Sequence, residues 1–239
     1  MIPKIIHCVW FGQNEFSEKE KKCIESWKKY LPEYEIMVWN EKNFDLNQNK
    51  YVKEAYILKK YAFVSDYVRL WALYHYGGIY MDTDVEVVKP FDDFLNKSVF
   101  LCFETSMVSI GTCGAEKKNL WIKELLDEYE DRRFLLPNGA INIVTNLRYV
   151  TNSCQRHGLI RNEEYQVLDN NVEVFEREFF CPEVKSDGTI LVTDNTVCIH
   201  HYSASWVSKS SQLFLRIGRR IKYLFFYWVV YNFLFTKEI

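Results

Sequence analysis

The stretch from residue 62 to residue 88, AFVSDYVRLWALYHYGGIYMDTDVEVV, limits the fold more than any other part of the chain. An apolar helix is stopped by Gly77-Gly78, since glycine ends helices where the backbone must turn left-handed. A short strand then runs into Asp82-Thr83-Asp84. Tyr80, Asp82 and Asp84 share one face while that strand stays extended. Two carboxylates flanking one residue at the end of a buried strand repel each other, and a cation removes the repulsion. Such a pair is a hard-oxygen site for Mg²⁺ or Mn²⁺, chemistry that suits the handling of a pyrophosphate. The bland alternative is a turn in which Asp82 caps a backbone amide. The apolar setting favours the metal, because buried charges require a partner.

The segments around this stretch alternate. Ile5 to Trp10 is a β-branched-rich apolar run and predicts the first buried strand. Ser17-Glu18-Lys19-Glu20 has capping-box spacing and opens a helix to Tyr30, which Pro32 ends. Glu35 to Trp39 predicts a second strand, 53–76 one long helix, and Ile79 to Val88 a third strand. Strand, helix, strand, helix, strand at this spacing predicts an α/β domain with a mostly parallel sheet. Beyond Pro90, strands are expected at 99–103, 108–113, 172–175, 179–181 and 197–201, and helices at 120–133 and 140–157. At 239 residues the chain supports one sizeable core. The expected organisation is one catalytic domain, 1–208, and a tail, 209–239.

Composition narrows the function. A net charge of −2 argues against nucleic acid as a partner. Aromatic residues make up 17% of the chain, either as a thick core or as platforms for bases and sugars. Seven scattered cysteines without C-x-x-C spacing read as reduced core thiols of a cytosolic protein. The first residues lead straight into a strand, so no signal peptide is expected. There is no G-x-G-x-x-G, no G-x-x-x-x-G-K-[ST] and no G-x-S-x-G, which excludes the usual dinucleotide, P-loop and hydrolase-elbow chemistries.

Four further features bear on a site. Asp66 and Arg69 lie three apart on an otherwise apolar helix, so they share a face. They form either an internal salt bridge or a pair that hydrogen-bonds a polyol. His200-His201 follow the last apolar strand, where adjacent residues point to opposite faces. One imidazole can complete the two-carboxylate set; the other reading is a satisfied core histidine. Trp10 stands at the carboxyl end of the first strand, where nucleotides bind in open α/β sheets, or packs in the core. Ser205-Trp206 close the series.

Together these segments resemble glycosyltransferase family 32, the D-x-D sugar transferases that include yeast initiating mannosyltransferases and many bacterial capsule enzymes. The matching stretches are IPKIIHCVWFG, SDYVRLWALYHYGGIYMDTDVEV and IHHYSASW, in the family's order across 2–206. The resemblance implies a GT-A fold, a nucleotide-sugar donor, a divalent cation and retention of anomeric configuration. It implies Asp82 and Asp84 as metal ligands, with Asp84 the closer. Asp66 and Arg69 match the pair that holds the donor sugar, and Trp10 the residue that looks onto the uracil. Ser205 and Trp206 match residues near the pyrophosphate, and Tyr80 is expected on the donor side. His201, followed by an aromatic, resembles the late metal-ligating histidine of a neighbouring family, with His200 as second choice. Nothing specific is matched from Val108 to Leu168, the presumed acceptor region.

The expectation is therefore a hexosyltransferase using Mn²⁺ or Mg²⁺ and a UDP-sugar, acting on a saccharide acceptor in capsule or surface polysaccharide synthesis. The rivals are a metal-dependent nucleotidyltransferase, which would need a glycine-rich phosphate loop where only Gly12 stands, and a non-catalytic membrane-binding module. Residues 209–222 carry Lys209, Arg216, Arg219, Arg220 and Lys222 and no acid. Tyr223 to Phe235 is almost wholly apolar but shorter than the roughly 20 residues of a spanning helix. The tail is expected to dock on the cytoplasmic face of an anionic membrane, near a lipid-linked acceptor, or else to pack on the core.

Overall fold

The computed structural model describes residues 1–202 except Ser186. Ser205, Trp206 and the tail 209–239 lie outside the described residues. A seven-stranded sheet forms the centre, in the order β2-β1-β3-β6-β5-β8-β7. Its strands are β1 (Ile5–Val9), β2 (Glu35–Trp39), β3 (Gly78–Met81), β5 (Val99–Glu104), β6 (Met107–Ala115), β7 (Gln166–Val167) and β8 (Val172–Phe175). β1 is parallel to both β2 and β3, and β5 is parallel to β8; β6 and β7 pair antiparallel with their neighbours. Five strands thus point one way, and the expected α/β domain with a mostly parallel sheet is the one observed. A second sheet joins β4 (Val85–Val87) antiparallel to β9 (Cys198–His200).

Helix α1 (Glu18–Tyr30) begins at the expected capping box, with Ser17 and Glu20 satisfying each other's backbone amides. It covers one face of the sheet, and the Trp27 indole donates to the Val85 carbonyl at 2.7 Å, fixing β4. On the other face lie α2 (Lys50–Ile57), α3 (Tyr61–Tyr76), α4 (Leu120–Asp127) and α5 (Asn146–Arg156). The aromatics go largely to the core. Phe91, Phe94, Phe100, Phe175 and Phe180 pack together beneath the sheet, joined by the one-turn α6 (Arg177–Phe180). All seven cysteines are buried free thiols. Among the described residues, no helix is long and apolar enough to cross a membrane.

Several boundaries differ from expectation. The helix expected over 53–76 is two helices, because Lys59 takes a left-handed φ of 56° and Lys60 returns its amide to Ala55. The apolar period runs through this break unchanged, so periodicity could not reveal it. The strand expected over 79–88 is two strands in two sheets, separated at Asp82–Asp84 by a turn in which Val85 donates to the Asp82 carbonyl. Phe179–Cys181, read as strand from composition, falls mainly in α6, whose aromatic rings pack into the phenylalanine cluster. The helices expected over 120–133 and 140–157 shorten to α4 and α5. Residues 134–142 instead form a hairpin closed by the Leu135–Ile141 bridge around Pro137-Asn138-Gly139.

The double glycine does more than stop α3. Gly78 has φ 109°, and a Cβ there would stand 2.6 Å from the Ile5 carbonyl, so the close approach of β3 to β1 requires its absence. Beside it, His7 is fully buried. Its Nε2–H donates to the Gly77 carbonyl at 2.7 Å, and its Nδ1 accepts from the Trp39 indole at 3.2 Å. Burial pushes this imidazole down to about 4 despite the Gly77 bond. A neutral His7 therefore clamps the helix end to β1 and β2.

Candidate active site

The chain leaves β1 towards β2 on one side and returns as β3 on the other. The crevice beyond the carboxyl ends of β1 and β3 is therefore the topological switch point, where α/β sheets bind ligands. Trp10 follows β1 and Asp82 follows β3, so both reach this crevice. The Asp82 amide donates to the Gly111 carbonyl of β6 at 2.8 Å. The turn after Asp82 presents Asp84 and starts β4, whose pairing with β9 sets Val85 opposite His200.

Ligand atoms of Asp82, Asp84 and His200 all lie within 4.8 Å of one another. The His200 Nε2 is 3.2 Å from Asp84 Oδ1 and 3.8 Å from Asp82 Oδ2, and the ring stacks on Tyr202 at 4.1 Å. Burial opposes charge on His200, but the bond to Asp84 and the two carboxylate charges outweigh it and raise its pKa to about 9. Two hard oxygen donors and one imidazole form a donor set that fits Mn²⁺ and accepts other divalent cations. Gly111 leaves the room, since a Cβ there would stand 2.9 Å from Asp82 Oδ2 and 3.2 Å from the His200 ring.

The assignment of the metal-facing histidine is corrected. His201 directs its Nε2 to Glu86 at 2.8 Å and gives its backbone amide to the Asp84 carbonyl. β9 ends at His200, and successive residues face opposite sides, so only His200 reaches the aspartates.

Asp66 and Arg69 on α3 are brought to the same crevice. Arg69 bonds the Ser65 carbonyl (3.2 Å), the Ser65 hydroxyl (2.9 Å) and the Ile110 carbonyl (3.2 Å). It also pairs with Asp66 at 3.3 Å and with Asp82 at 3.4 Å. The salt bridge and the shared site coexist, because one guanidinium fork links both carboxylates. Burial raises the pKa of Asp66 to about 6, with Arg69 opposing the rise and the Asp82 charge adding to it.

Tyr80 is also corrected. At 1% exposure it cannot touch a donor. Arg69 covers its ring at 4.5 Å, and its hydroxyl donates to Asp82 Oδ1 at 2.7 Å while meeting Ser65 at 3.0 Å. It positions Asp82 from beneath. Trp10 is half-buried, its indole donating to the Asn14 carbonyl at 2.7 Å and its ring 4.7 Å from Phe16.

Sequence reasoning missed Ser65, Gly111 and Asn146. Ser65 sits beside Asp66 in the quoted motif, and its polarity on an apolar helix was a usable signal. Asn146 donates to Asp66 Oδ1 at 2.7 Å from the start of α5, far along the chain, with no local signal.

Residues 17–101 match the family of glycosyltransferase sugar-binding regions containing a DXD motif. The chain is 29% identical over 114 residues to inositol phosphoceramide mannosyltransferase 1 of Schizosaccharomyces pombe, covering 45% of this chain and 35% of that protein. It is 33% identical over 107 residues to inositol phosphoceramide mannosyltransferase 3 of the same yeast, covering 40% and 28%. The chain thus spans about a third of the length of these relatives. Among solved structures it is similar to PaToxG glycosyltransferase, at 25% identity, TM-score 0.45 and coverage of 53% and 58%. It is also similar to a glycosyltransferase involved in glycosylation of the major capsid of PBCV-1, at 11% identity, TM-score 0.46 and coverage of 88% and 97%.

Proposed function

We propose that this chain, whose residues 17–101 are a glycosyltransferase sugar-binding region containing a DXD motif, moves a hexose from a nucleotide sugar to a saccharide hydroxyl. The observation that carries the reading is the cluster of Asp82, Asp84 and His200 at the switch point, with Asp66 and Arg69 hydrogen-bonded into the same crevice. In this reading Asp82, Asp84 and His200 hold the cation, which supplies Lewis-acid neutralisation of the leaving diphosphate. Asp66 accepts from hydroxyls of the transferred sugar, and Arg69 fixes Asp66 relative to Asp82. Tyr80 and Ser65 hold that geometry before substrate arrives, so little reorganisation accompanies the reaction. Trp10 offers an aromatic face to the nucleotide base. The names of the yeast relatives favour mannose among the hexoses and are compatible with a lipid-linked acceptor.

The deciding experiment incubates the full chain with a panel of UDP- and GDP-hexoses, with and without p-nitrophenyl hexosides, and measures nucleotide release and product. Mn²⁺-dependent release from one donor is expected, reduced at least about a hundredfold in Asp84→Asn. Equal release by Asp84→Asn, or release untouched by EDTA, overturns the reading. A nucleotidyltransferase would instead release inorganic pyrophosphate. In the same reading residues 209–239 dock the enzyme on anionic lipid. Liposome flotation at low salt should then require those residues, and equal flotation of a chain ending at Ser208 would refute the docking.

A further inference from the structure

Away from the crevice, α3, the end of α4 and the residues that open α2 enclose a second depression. It is a cavity of about 490 Å³, open to solvent and within the size range of small-molecule sites. One wall is aromatic, formed by Tyr67, Trp71, Tyr74 and His75 of α3, all half-buried. Tyr67, Trp71 and Tyr74 recur at i, i+4 and i+7, so they form one stripe of the helix. Asp66 and Arg69 lie roughly 140° away around the same helix. Among the described residues, none of the crevice side chains lines this cavity.

The rings are held in place by one another and leave polar atoms unused. Trp71 and His75 stack at 4.4 Å, and Phe44 meets both Trp71 and Tyr67 edge-on. His75 Nδ1–H donates to the Trp71 carbonyl at 2.9 Å, which leaves Nε2 as an acceptor. The Tyr67 hydroxyl has no hydrogen-bond partner among the described residues. Burial, then the nearby Glu130 charge, raise its pKa, so it remains a donor. The rest of the rim carries Gln48, Lys50, Lys123, Asp127 and Glu130. Lys123 pairs with Asp127, and the two lysines cancel the two acids.

We propose that this cavity is a second saccharide site, separate from the crevice, which takes roughly one or two pyranose units of a neutral glycan chain. A pyranose presents a C–H face that packs on aromatic rings and a rim of hydroxyls that both donate and accept. The cavity supplies both kinds of partner. The α3 rings offer apolar surface, the Tyr67 hydroxyl and Lys50 donate, and Glu130 and His75 Nε2 accept. A phosphate or sulfate group would meet Asp127 and Glu130 with no net positive charge to attract it. An acyl chain would leave those groups without partners. Binding here does not depend on hexosyl transfer. On the transfer reading, the site tethers a glycan chain and raises the effective concentration of its end.

The test measures binding of maltohexaose, cellohexaose and α-1,6-mannohexaose to the full chain by calorimetry, without donor or cation. Wild type should bind at least one of them with a Kd at or below about 1 mM. Tyr67→Phe keeps the ring and Glu130→Gln keeps the shape. Each should weaken binding about three- to tenfold through one lost or weakened hydrogen bond, with thermal unfolding unchanged. Asp66→Ala, which alters the crevice, should bind the hexaose as wild type does. The proposal is overturned if no hexaose binds, or if the Tyr67→Phe/Glu130→Gln double variant binds as well as wild type. Loss of binding in Asp66→Ala with the double variant unaffected would place the chain in the crevice instead. Tighter binding of a sulfated heparin hexasaccharide than of any neutral hexaose would overturn the neutral assignment. A chain that releases nucleotide from no donor would defeat the transfer reading and leave the binding result standing.

Discussion

Asp82, Asp84 and His200 hang from the ends of paired strands, whereas Asn146, which bonds Asp66 from across the crevice, comes from the first turn of α5. The strand-borne wall is fixed by ladder hydrogen bonds and by a buried fork, Arg69, that reaches Ser65, Ile110, Asp66 and Asp82. The far wall is fixed by the hydrogen bonds of a helix start and short turns, and meets the strand-borne wall through one side-chain amide. The difference fits a division of labour. Chemistry near a cation demands exact placement, whereas turns and helix starts tolerate variation on a rigid scaffold.

The largest expected effect is on the strand-borne wall. Arg69→Lys removes the planar fork, and one ammonium cannot serve all of its partners. Stability should fall by about 3 kcal/mol, because a buried pair is broken with its carboxylates left in place. Nucleotide release should fall at least about a hundredfold. Denaturant unfolding and donor turnover measure the two losses. A variant that keeps both would show that the two walls do not differ in rigidity.

A smaller effect concerns the floor beneath that wall. The folded pKa of His7, about 4, lies below its unfolded value near 6.5. The neutral form is thus favoured on folding, and its contribution is complete above about pH 6.5. It is lost progressively as pH falls towards 4, up to about 3 kcal/mol. His7→Gln should flatten the stability profile between those values. An unchanged slope would mean that His7 is not the titrating clamp.

The same contrast explains what could be read from the sequence. β1, α1 and β2 were legible because apolar runs, a capping box and Pro32 signal them locally. The D-x-D and the Asp66–Arg69 pair were legible because each lies within one motif. The break at Lys59 was not, since a single left-handed residue interrupts the backbone while the apolar pattern continues. Between His200 and His201 the choice depended on β4–β9 register, a long-range pairing that residue types do not encode. Asn146 acts at a contact 80 residues distant in sequence, supplied by a helix start whose placement depends on the rest of the fold.

The account turns on the cation site, and Mn²⁺ binding by the full chain, followed by electron paramagnetic resonance of the free ion, tests it without any substrate. Wild type should bind one Mn²⁺, and His200→Ala should weaken binding at least about tenfold through loss of a ligand. His201→Ala should stay within about threefold, because His201 turns to Glu86. Equal affinity in wild type and His200→Ala, or a loss confined to His201→Ala, would contradict the Asp82–Asp84–His200 site.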